Sequence, residues 1–280
     1  ERGRRRVDTP QGDYEATIRA VVDLARRVAD EAGAAPAPLG VGIPGSLSPS
    51  TGLVRNANST WLNGRPFEAD LAAAWGGPVR VANDANCFAL SEATDGAAAG
   101  AASVFGVIIG TGVGGGLVAD GRLIGGANGI AGEWGHAPLP DPRRDETPGP
   151  LCWCGRRGCI ETWCSGPALA ADHLRASGET LTAARIAERA EAGDAAAAAT
   201  LERHAVRLGR ALAMAVNVFD PEAIVLGGGL SNLNGVAERA RRAMLPHVFS
   251  DNVVTRIVVN RHGDSSGVRG AARLWPLEGE

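Results

Sequence analysis

The apolar residues of the chain recur at two different spacings, and these spacings alternate along the sequence. Apolar positions three and four apart predict a helix over residues 13–32, and a short apolar run predicts a strand over 39–43. Later strands are predicted at residues 79–82, 104–109, 223–226 and 253–259. Later helices are predicted at residues 66–75, 85–94, 236–245 and 267–275, with an Ala-rich helical region over 166–218. Because strands alternate with helices, the predicted fold class is α/β.

A stretch of small residues at 95–102 predicts where the chain divides. The 280 residues suit about two domains on a prior of about 150 residues for each. The small and flexible composition of this stretch favours a boundary there. The predicted first domain therefore covers residues 1–100, and the second covers residues 101–264.

The composition excludes several kinds of enzyme. All 28 basic residues are arginine, so the chain has no lysine. Walker A loops, protein kinases and Schiff-base enzymes all need a lysine, and all three classes are excluded. A net charge of −3 gives no general attraction to nucleic acid or to an acidic membrane. Without an apolar run of about 18 residues, the expectation is a cytoplasmic protein with neither nucleic-acid nor membrane partners.

Two glycine-rich turns follow predicted buried strands in the second half of the chain. Glycine lets a backbone approach a ligand closely, and consecutive N–H groups in such turns bind anions. Each turn is therefore either part of a nucleotide site or a tight connection between two elements. The candidate ligand-binding residues are Gly110, Thr111, Gly112, Gly114, Gly115 and Gly116 in the first turn, and Gly227, Gly228 and Gly229 in the second.

The sequence Asn-Asp-Ala-Asn at 83–86 stands between a predicted strand and a predicted helix. Asp84 at this junction is either a helix N-cap or a general base that accepts a hydroxyl proton during phosphoryl transfer. In the second case, Asn83 would bind hydroxyls of a polyol substrate.

A cluster of cysteines predicts a metal site. Cys152, Cys154 and Cys159 lie within eight residues of one another, and His136 precedes Cys152 by sixteen residues. Three thiolates and one imidazole complete a tetrahedral structural zinc site. Free buried thiols are the alternative, but the segment has little periodic apolar content, and metal binding would supply its order.

Two carboxylates flank this cluster. Glu133 lies three residues before His136, and Glu161 lies two residues after Cys159. If a metal orders the loop, both carboxylates are held beside it, where they suit sugar hydroxyls; otherwise they are surface charges. His136 would then bind the metal through one ring nitrogen and present the other to substrate.

In order and spacing, several of these motifs resemble the ROK family of bacterial sugar kinases and repressors. They are Gly42-Ile43-Pro44-Gly45, Asn83-Asp84-Ala85-Asn86, the turn at 110–116, Gly132-Glu133-Trp134-Gly135-His136 and the run from Cys152 to Glu161. The resemblance extends from about residue 8 to residue 276. Within the family, the segments at 56–64 and 262–270 look most like the fructokinase branch, whereas N-acetylglucosamine kinases diverge around residue 60.

The resemblance implies the two-domain, actin-like and ribonuclease-H-like ATPase fold, with an inserted zinc-binding loop over 136–159. A closing helix over 265–280 would return to the first domain. The implied activity is ATP-dependent, Mg²⁺-assisted phosphorylation of fructose at the 6-hydroxyl, by a homodimer. Asp84 would be the general base, and ATP would lie on the turns at 110–116 and 227–229. The sugar would contact Asn58, Asn83, Glu133, His136 and Glu161, and zinc would bind His136, Cys152, Cys154 and Cys159.

One family feature is missing from the sequence. Family kinases open with an Asp-x-Gly-Gly-Thr turn between two strands, which holds ATP phosphates and helps to place magnesium. The missing hairpin corresponds to about two dozen residues, so we expect a shortened N terminus. If the natural chain begins at Glu1, the alternative is a sugar-binding regulator or degenerate kinase without turnover. A third hypothesis, a redox or zinc-ribbon interaction module, leaves Asp84 and both glycine turns without a role.

Overall fold

The structure of the chain is a computed structural model that describes residues 3–35 and 37–275. Its first element is helix α1 (Tyr14–Glu31), which begins where the Asp13 side chain accepts a hydrogen bond from the Ala16 N–H at 2.9 Å. One face of α1 buries Ile18 and Val22. The helix therefore forms where both its cap and its apolar spacing predicted it.

A small parallel sheet forms the first hydrophobic core together with α1. Strand β1 (Leu39–Ile43) pairs in parallel with β4 (Val79–Asn83). Between them in the chain lie the antiparallel pair β2 (Ser46–Leu47) and β3 (Val54–Arg55), and helix α2 (Phe67–Trp75). Apolar residues from these elements pack together in one cluster.

A second sheet has five strands in the order β7-β6-β5-β8-β9. The strands are β5 (Ser103–Ile109), β6 (Val113–Ala119), β7 (Arg122–Leu123), β8 (Ala223–Gly227) and β9 (Arg256–Val259). Strand β6 is antiparallel to both β5 and β7, whereas β8 is parallel to both β5 and β9. Asp120 and Gly121 turn β6 into β7 with φ angles of 48° and 70°, which is the left-handed geometry of a tight hairpin.

Helices cover both faces of this sheet. One face packs on α5 (Gly166–Ser177), α6 (Ala183–Glu191), α7 (Ala195–Phe219) and α8 (Val236–Met244), preceded by the short helix α4 (Glu161–Cys164). The other face packs on α3 (Asp84–Thr94). Because alternate residues of a strand point to opposite faces, Val107 faces the first group and Val104 faces α3. Every residue of β8 is consequently buried.

The last helix, α9 (Ser266–Ala272), returns to β1 and α3. The backbones approach so closely that a Cβ on Gly270 would lie 1.6 Å from the Cys87 carbonyl oxygen. A Cβ on Gly40 in β1 would lie 1.8 Å from the Ala271 carbonyl oxygen. Helix α3 is therefore held between the five-stranded sheet and α9. The end of the predicted closing segment, at 276–280, lies outside the described residues.

A buried carboxylate ties α3 to the chain that enters α9. Glu92 is 0% exposed and accepts hydrogen bonds from the N–H groups of Ala97 (2.8 Å), Arg261 (3.0 Å) and His262 (3.2 Å) and from the Ser266 hydroxyl (2.7 Å). Burial acts to raise the pKa of Glu92, but these donors outweigh it and hold the pKa below the usual range. The ionised carboxylate is therefore part of the folded structure.

We expect Glu92→Gln to lower the free energy of unfolding by about 2–4 kcal/mol, because an amide cannot accept all four hydrogen bonds and leaves buried donors unpaired. Urea titration measures this loss. Because folding lowers the pKa of Glu92, its carboxylate stabilises the fold above the pKa of an ordinary glutamate, and this stabilisation is lost as pH falls through the lowered pKa. The difference in unfolding free energy between the wild type and Glu92→Gln should therefore become smaller in acid. Glu31→Gln, in an exposed pair with Arg5, is the matched control and should change stability little. Equal losses in both variants would contradict this role.

The positions of most predicted elements are confirmed. The helices predicted at 13–32, 66–75, 85–94 and 236–245 and the strands at 39–43, 79–82, 104–109 and 223–226 all occur with ends shifted by at most one residue. Two predictions were too long: the strand predicted from 253 begins at Arg256, and the helix predicted to 275 ends at Ala272. The Ala-rich region divides into α5, α6 and α7.

None of the helices within the described part of the chain has the length and hydrophobicity that crossing a bilayer requires.

Candidate active site

Asp84 lies at the carboxyl end of β4, as the first residue of α3. The helix cap is its neighbour Asn83, whose side-chain oxygen accepts from the N–H groups of Ala85 (2.9 Å) and Asn86 (3.3 Å). Of the two alternatives for Asp84, the N-cap role therefore belongs to Asn83. The Asp84 side chain is open to solvent, but the protein atoms around it displace enough water for desolvation to raise its pKa, against a hydrogen bond from the Ala85 N–H. Asp84 is thus accessible to a ligand and has the raised pKa that suits a general base.

Asn83 and Asn58 differ in what their side chains leave free. Besides capping α3, Asn83 donates from Nδ2 to the Gly45 carbonyl oxygen at 2.9 Å, so its amide joins the ends of β1 and β4. Its predicted contact with a sugar is therefore limited to its remaining N–H. Asn58 is exposed, and the preceding Ala57 is fixed by two hydrogen bonds of 2.9 Å with the Asn63 side chain. This geometry leaves Asn58 available to a ligand.

Glu133 is half-buried close to three other candidate residues. Burial raises its pKa, and the negative charges of Asp84 and Glu161 add to that effect, whereas His136 and Arg55 act in the opposite direction. Charges influence a pKa in this way only over short distances. The fold therefore brings Asp84 and Glu161, from distant parts of the sequence, close to Glu133 and its near neighbour His136.

Arg55 is a residue near this group that the sequence motifs did not single out. Its guanidinium donates to the Asn128 carbonyl oxygen and, at 3.4 Å, to the Ser46 hydroxyl. These contacts link β3 to the segment that follows β7. The sequence offered one general signal for such a residue: in a chain without lysine, a positively charged side chain near a phosphate group must be arginine.

Glu161 has a carboxylate fixed at both oxygens. Oε2 accepts from the Val113 N–H at 2.9 Å, and Oε1 accepts from the Trp153 indole N–H at 2.8 Å. A carboxylate oxygen has lone pairs for a second hydrogen bond. Glu161 is therefore oriented by the protein and retains acceptor capacity for substrate hydroxyls.

The predicted metal ligands come together in space. His136 Nδ1 and Cys152 Sγ are 3.5 Å apart, Cys154 Sγ and Cys159 Sγ are 3.7 Å apart, and all four donor atoms lie within 4.8 Å of one another. A tetrahedral zinc ion with Zn–S bonds of about 2.3 Å separates its sulfur ligands by about 3.8 Å. The Arg156 backbone N–H lowers the pKa of Cys154 to about 6, so this donor is a thiolate at neutral pH. The donor set therefore fits a zinc ion.

Buried ion pairs hold the middle of the loop over residues 136–159. Glu146 accepts from Arg207 at 2.8 Å and from Arg210 at 2.7 Å, and Arg207 also donates to Asp172 at 2.8 Å. All four side chains are buried. Burial acts to raise the pKa of Glu146, but the two arginines and the Arg143 N–H hold it below the usual range. The loop over 136–159 is thereby fixed to α7 and α5 at a second place.

The first glycine turn is shorter than predicted. It spans Gly110–Gly112, because β6 begins at Val113. Gly115 and Gly116 are buried in that strand, where a Cβ would lie 2.7 Å from the Phe105 ring and 2.7 Å from the Ala85 carbonyl oxygen, respectively. Gly114 lies in the same strand, and Gly227 ends β8 with the Phe88 ring against it. Close packing of α3 and of aromatic rings requires glycine at 115, 116 and 227, whereas a Cβ on Gly114 would meet the Ala85 Cβ at an ordinary 3.4 Å.

The turn at Gly110, the turn at Gly228–Gly229 and the start of α5 lie next to one another. Gly166 at the start of α5 donates to the Gly110 carbonyl oxygen at 2.7 Å, and a Cβ on Gly110 would lie 3.8 Å from the Gly229 nitrogen. Gly228 has a φ of 80°, and a Cβ there would lie 2.6 Å from the Ile109 carbonyl oxygen, so the turn requires glycine. Thr111, Gly228 and Gly229 are exposed. Exposed backbone N–H groups beside a helix N-terminus suit a phosphate group.

Comparison with known proteins decides the family. The ROK family profile matches residues 2–278. The chain belongs to the ROK family. The predicted family membership is thus confirmed, and with it the actin-like α/β fold.

Named ROK relatives cover nearly all of the chain. The N-acetyl-D-glucosamine kinase of Citrobacter koseri is 40% identical over 277 residues, which are 98% of this chain and 91% of that protein. The ROK hexokinase of Thermus thermophilus has a TM-score of 0.83 and 34% identity, covering 95% of this chain and 87% of that one. The ROK glucokinase of Streptomyces griseus, solved with glucose and AMPPNP, has a TM-score of 0.77 and 27% identity over 96% of this chain and 89% of its own.

Proposed function

We propose that this ROK protein transfers the γ-phosphoryl group of ATP to the 6-hydroxyl of a hexose. The observation that carries the proposal is the placement of Asp84, which is open to solvent at the start of α3, beside the carboxylates of Glu133 and Glu161. Strand β6 joins the three: its Val113 N–H binds Glu161, and its backbone packs closely on Ala85 and on Gly132, the neighbours of Asp84 and Glu133. A kinase relative at 40% identity and a glucokinase solved with glucose and AMPPNP support the same reaction.

In the proposed reaction, the Asp84 carboxylate accepts the proton of the 6-hydroxyl. The hydroxyl oxygen then bonds to the γ-phosphorus, and the bond to the β–γ bridging oxygen breaks in line, which releases ADP. The donor is MgATP, whose phosphates the backbone N–H groups of Thr111, Gly112, Gly228 and Gly229 would bind, whereas the Gly110 N–H is already bonded to the Gly112 carbonyl oxygen. These contacts with the phosphates require no lysine side chain. Glu133 and Glu161 accept hydrogen bonds from the remaining sugar hydroxyls, His136 donates its Nε2–H to a hydroxyl oxygen, and Asn58 and Asn83 add amide contacts.

We propose zinc as the ion that His136, Cys152, Cys154 and Cys159 hold. A structural zinc ion supplies folding free energy to a loop with little apolar packing. Because His136 faces Cys152 through Nδ1, its Nε2 is left for the substrate. The ion would thus keep one wall of the hexose site in place.

The same proposal includes the predicted organisation of the molecule. The chain up to residue 100, as far as it is described, forms one lobe, to which α9 returns, and residues 101–264 form the other. Closure of the lobes on the hexose excludes water from the γ-phosphate. We also propose that the protein is a homodimer.

Two hexoses are candidates for the preferred substrate. We propose fructose, because residues 56–64 and 262–270 resemble the fructokinase branch. The second candidate is N-acetyl-D-glucosamine, which is favoured by the names of relatives at 38% and 40% identity. The two sugars differ at carbon 2, where one has a ketose carbon and the other an acetamido group, and both offer a primary 6-hydroxyl.

Initial rates with MgATP test the proposal against fructose, N-acetyl-D-glucosamine, glucose and mannose. They are measured on the 280-residue chain and on the chain with any residues that its gene encodes ahead of Glu1. We expect kcat/KM to be at least about tenfold higher for fructose than for the other sugars, which is about 1.4 kcal/mol of transition-state stabilisation. The reverse order between the first two sugars would support the second candidate. Hexose binding without turnover in both chains would contradict the kinase and support a non-catalytic sugar-binding protein.

A further inference from the structure

Trp153 is an exposed aromatic residue in the middle of the metal cluster. It lies between the ligands Cys152 and Cys154, and it is 68% exposed. Among the tryptophans of residues 3–35 and 37–275, it alone is exposed, since the others are buried or half-buried. The short turn between two metal ligands fixes its backbone but leaves its indole at the surface.

The Trp153 indole contacts two candidate sugar-binding residues. Its N–H donates to Glu161 Oε1 at 2.8 Å. Its ring packs edge-to-face on His136, with the centroids 4.8 Å apart and the planes at 86°. Because Oε2 of Glu161 is already bonded to the Val113 N–H, the indole completes the orientation of this carboxylate.

The space beside these groups is open to a ligand. A cavity of about 300 Å³ is lined by Trp153 and Glu161, with Thr111 from the first glycine turn and Ser165 before α5. The indole and the carboxylate therefore share one wall with the turn assigned to ATP. A molecule bound to Glu161 in this cavity would also contact Trp153, which lines it.

We propose that Trp153 is a positioning residue of the hexose site, which aims the Glu161 carboxylate at sugar hydroxyls. This inference rests on the proposed function, since it names what orients one of its substrate-binding groups. The turn between Cys152 and Cys154 fixes the backbone of Trp153, and the contact with His136 holds its indole. The indole N–H then orients Glu161 Oε1, and Glu161 accepts from the hexose hydroxyls. A well-ordered loop at 136–159 therefore favours hexose binding, because the hydrogen bond from Trp153 keeps Glu161 in its binding orientation. The expected consequence is a change in hexose affinity that leaves the chemical step alone.

Trp153→Phe tests this role, because phenylalanine keeps an aromatic ring against His136 and removes the N–H. We expect KM for the hexose to rise about three- to tenfold, in the range of one ordinary hydrogen bond, because Glu161 loses one of the two donors that orient it. The value of kcat should stay within about twofold, and KM for ATP should not change. The zinc content of the purified variant should equal that of the wild type.

Fluorescence provides a readout that does not depend on turnover. In the wild type, saturating hexose should protect one tryptophan from acrylamide quenching, and this protection should be absent in Trp153→Phe. Trp75→Phe is the matched control, because it also removes one indole N–H, bonded there to the Ala37 carbonyl oxygen at 3.1 Å. It should retain the wild-type KM and the protection.

The outcomes separate this inference from the proposed function. A wild type that neither binds nor phosphorylates a hexose overturns both. A wild type that phosphorylates a hexose, with Trp153→Phe matching Trp75→Phe in KM and in quenching, overturns the role of Trp153 alone. A fall in kcat without a rise in KM also contradicts it, since a residue that orients a binding group acts on affinity.

Discussion

Replacement of Asp84 by asparagine should lower kcat for hexose phosphorylation at least about 100-fold. A positioned general base contributes about 10²- to 10⁴-fold to a rate, and an amide cannot accept the hydroxyl proton. Hexose affinity should change little, because asparagine keeps the size of the side chain and can still accept the Ala85 N–H bond seen at 2.8 Å. Steady-state kinetics and calorimetric titration with the hexose measure the two effects separately.

The control for this variant is Asp70→Asn in helix α2. Asp70 accepts a hydrogen bond from the Tyr14 hydroxyl at 2.6 Å and takes no part in the candidate site. This variant should retain the wild-type kcat. An Asp84→Asn protein with unchanged kcat would show that another group takes the proton.

The pH dependence follows from the raised pKa of Asp84. Only the ionised carboxylate accepts a proton, so kcat/KM should fall as pH drops through that raised pKa. The acid limb should therefore lie at higher pH than an ordinary aspartate would give. In Asp84→Asn this limb should be lost from the residual activity.

Loss of the proposed zinc ion should change the structure more than any other change considered. Cys159→Ala removes one of four ligands, and structural zinc in small peptides is bound with about 10–16 kcal/mol at neutral pH. We expect this variant to lose its zinc, to expose residues 136–159 to proteolysis and to lose hexose binding. Zinc content, limited proteolysis and calorimetry measure the three effects.

Cys164→Ala is the matched control for the metal site. Cys164 is a buried thiol in the same segment, but it is not one of the four clustered donors. This variant should keep one zinc ion per chain and should bind the hexose. If Cys159→Ala kept an intact loop and wild-type hexose binding, zinc would have no structural role here.

The sequence predicted most elements of the fold because their signals are local. Asp13 caps α1, and the apolar residues of α1 have helical spacing. Strands β5 and β8 are continuous apolar runs, because helices cover both faces of their sheet. The clustering of the four metal donors was also predictable, since three thiols at short spacing with a preceding histidine are typical of a zinc site. Such signals do not depend on which distant elements pack together.

Other features of the site depend on tertiary packing and gave no local signal. The glycines at 115, 116 and 227 looked like ligand-binding positions, but aromatic rings and α3 pack so closely there that a Cβ would clash. The Asn-Asp pair did not reveal which residue caps α3. Arg55 contacts a segment that is distant in the sequence, and the contacts of Trp153 depend on how the cysteine loop folds. The spacing of residues alone therefore could not assign a role to either one.

The central claim is that the chain moves a phosphoryl group from ATP to a hexose 6-hydroxyl. Phosphorus-31 NMR of the protein with MgATP and fructose, and separately with N-acetyl-D-glucosamine, tests it directly. With at least one of these sugars, the γ-phosphate signal of ATP should disappear, and ADP and a hexose 6-phosphate should appear in equal amounts. Unchanged ATP, or ADP with inorganic phosphate and no sugar phosphate, would contradict it.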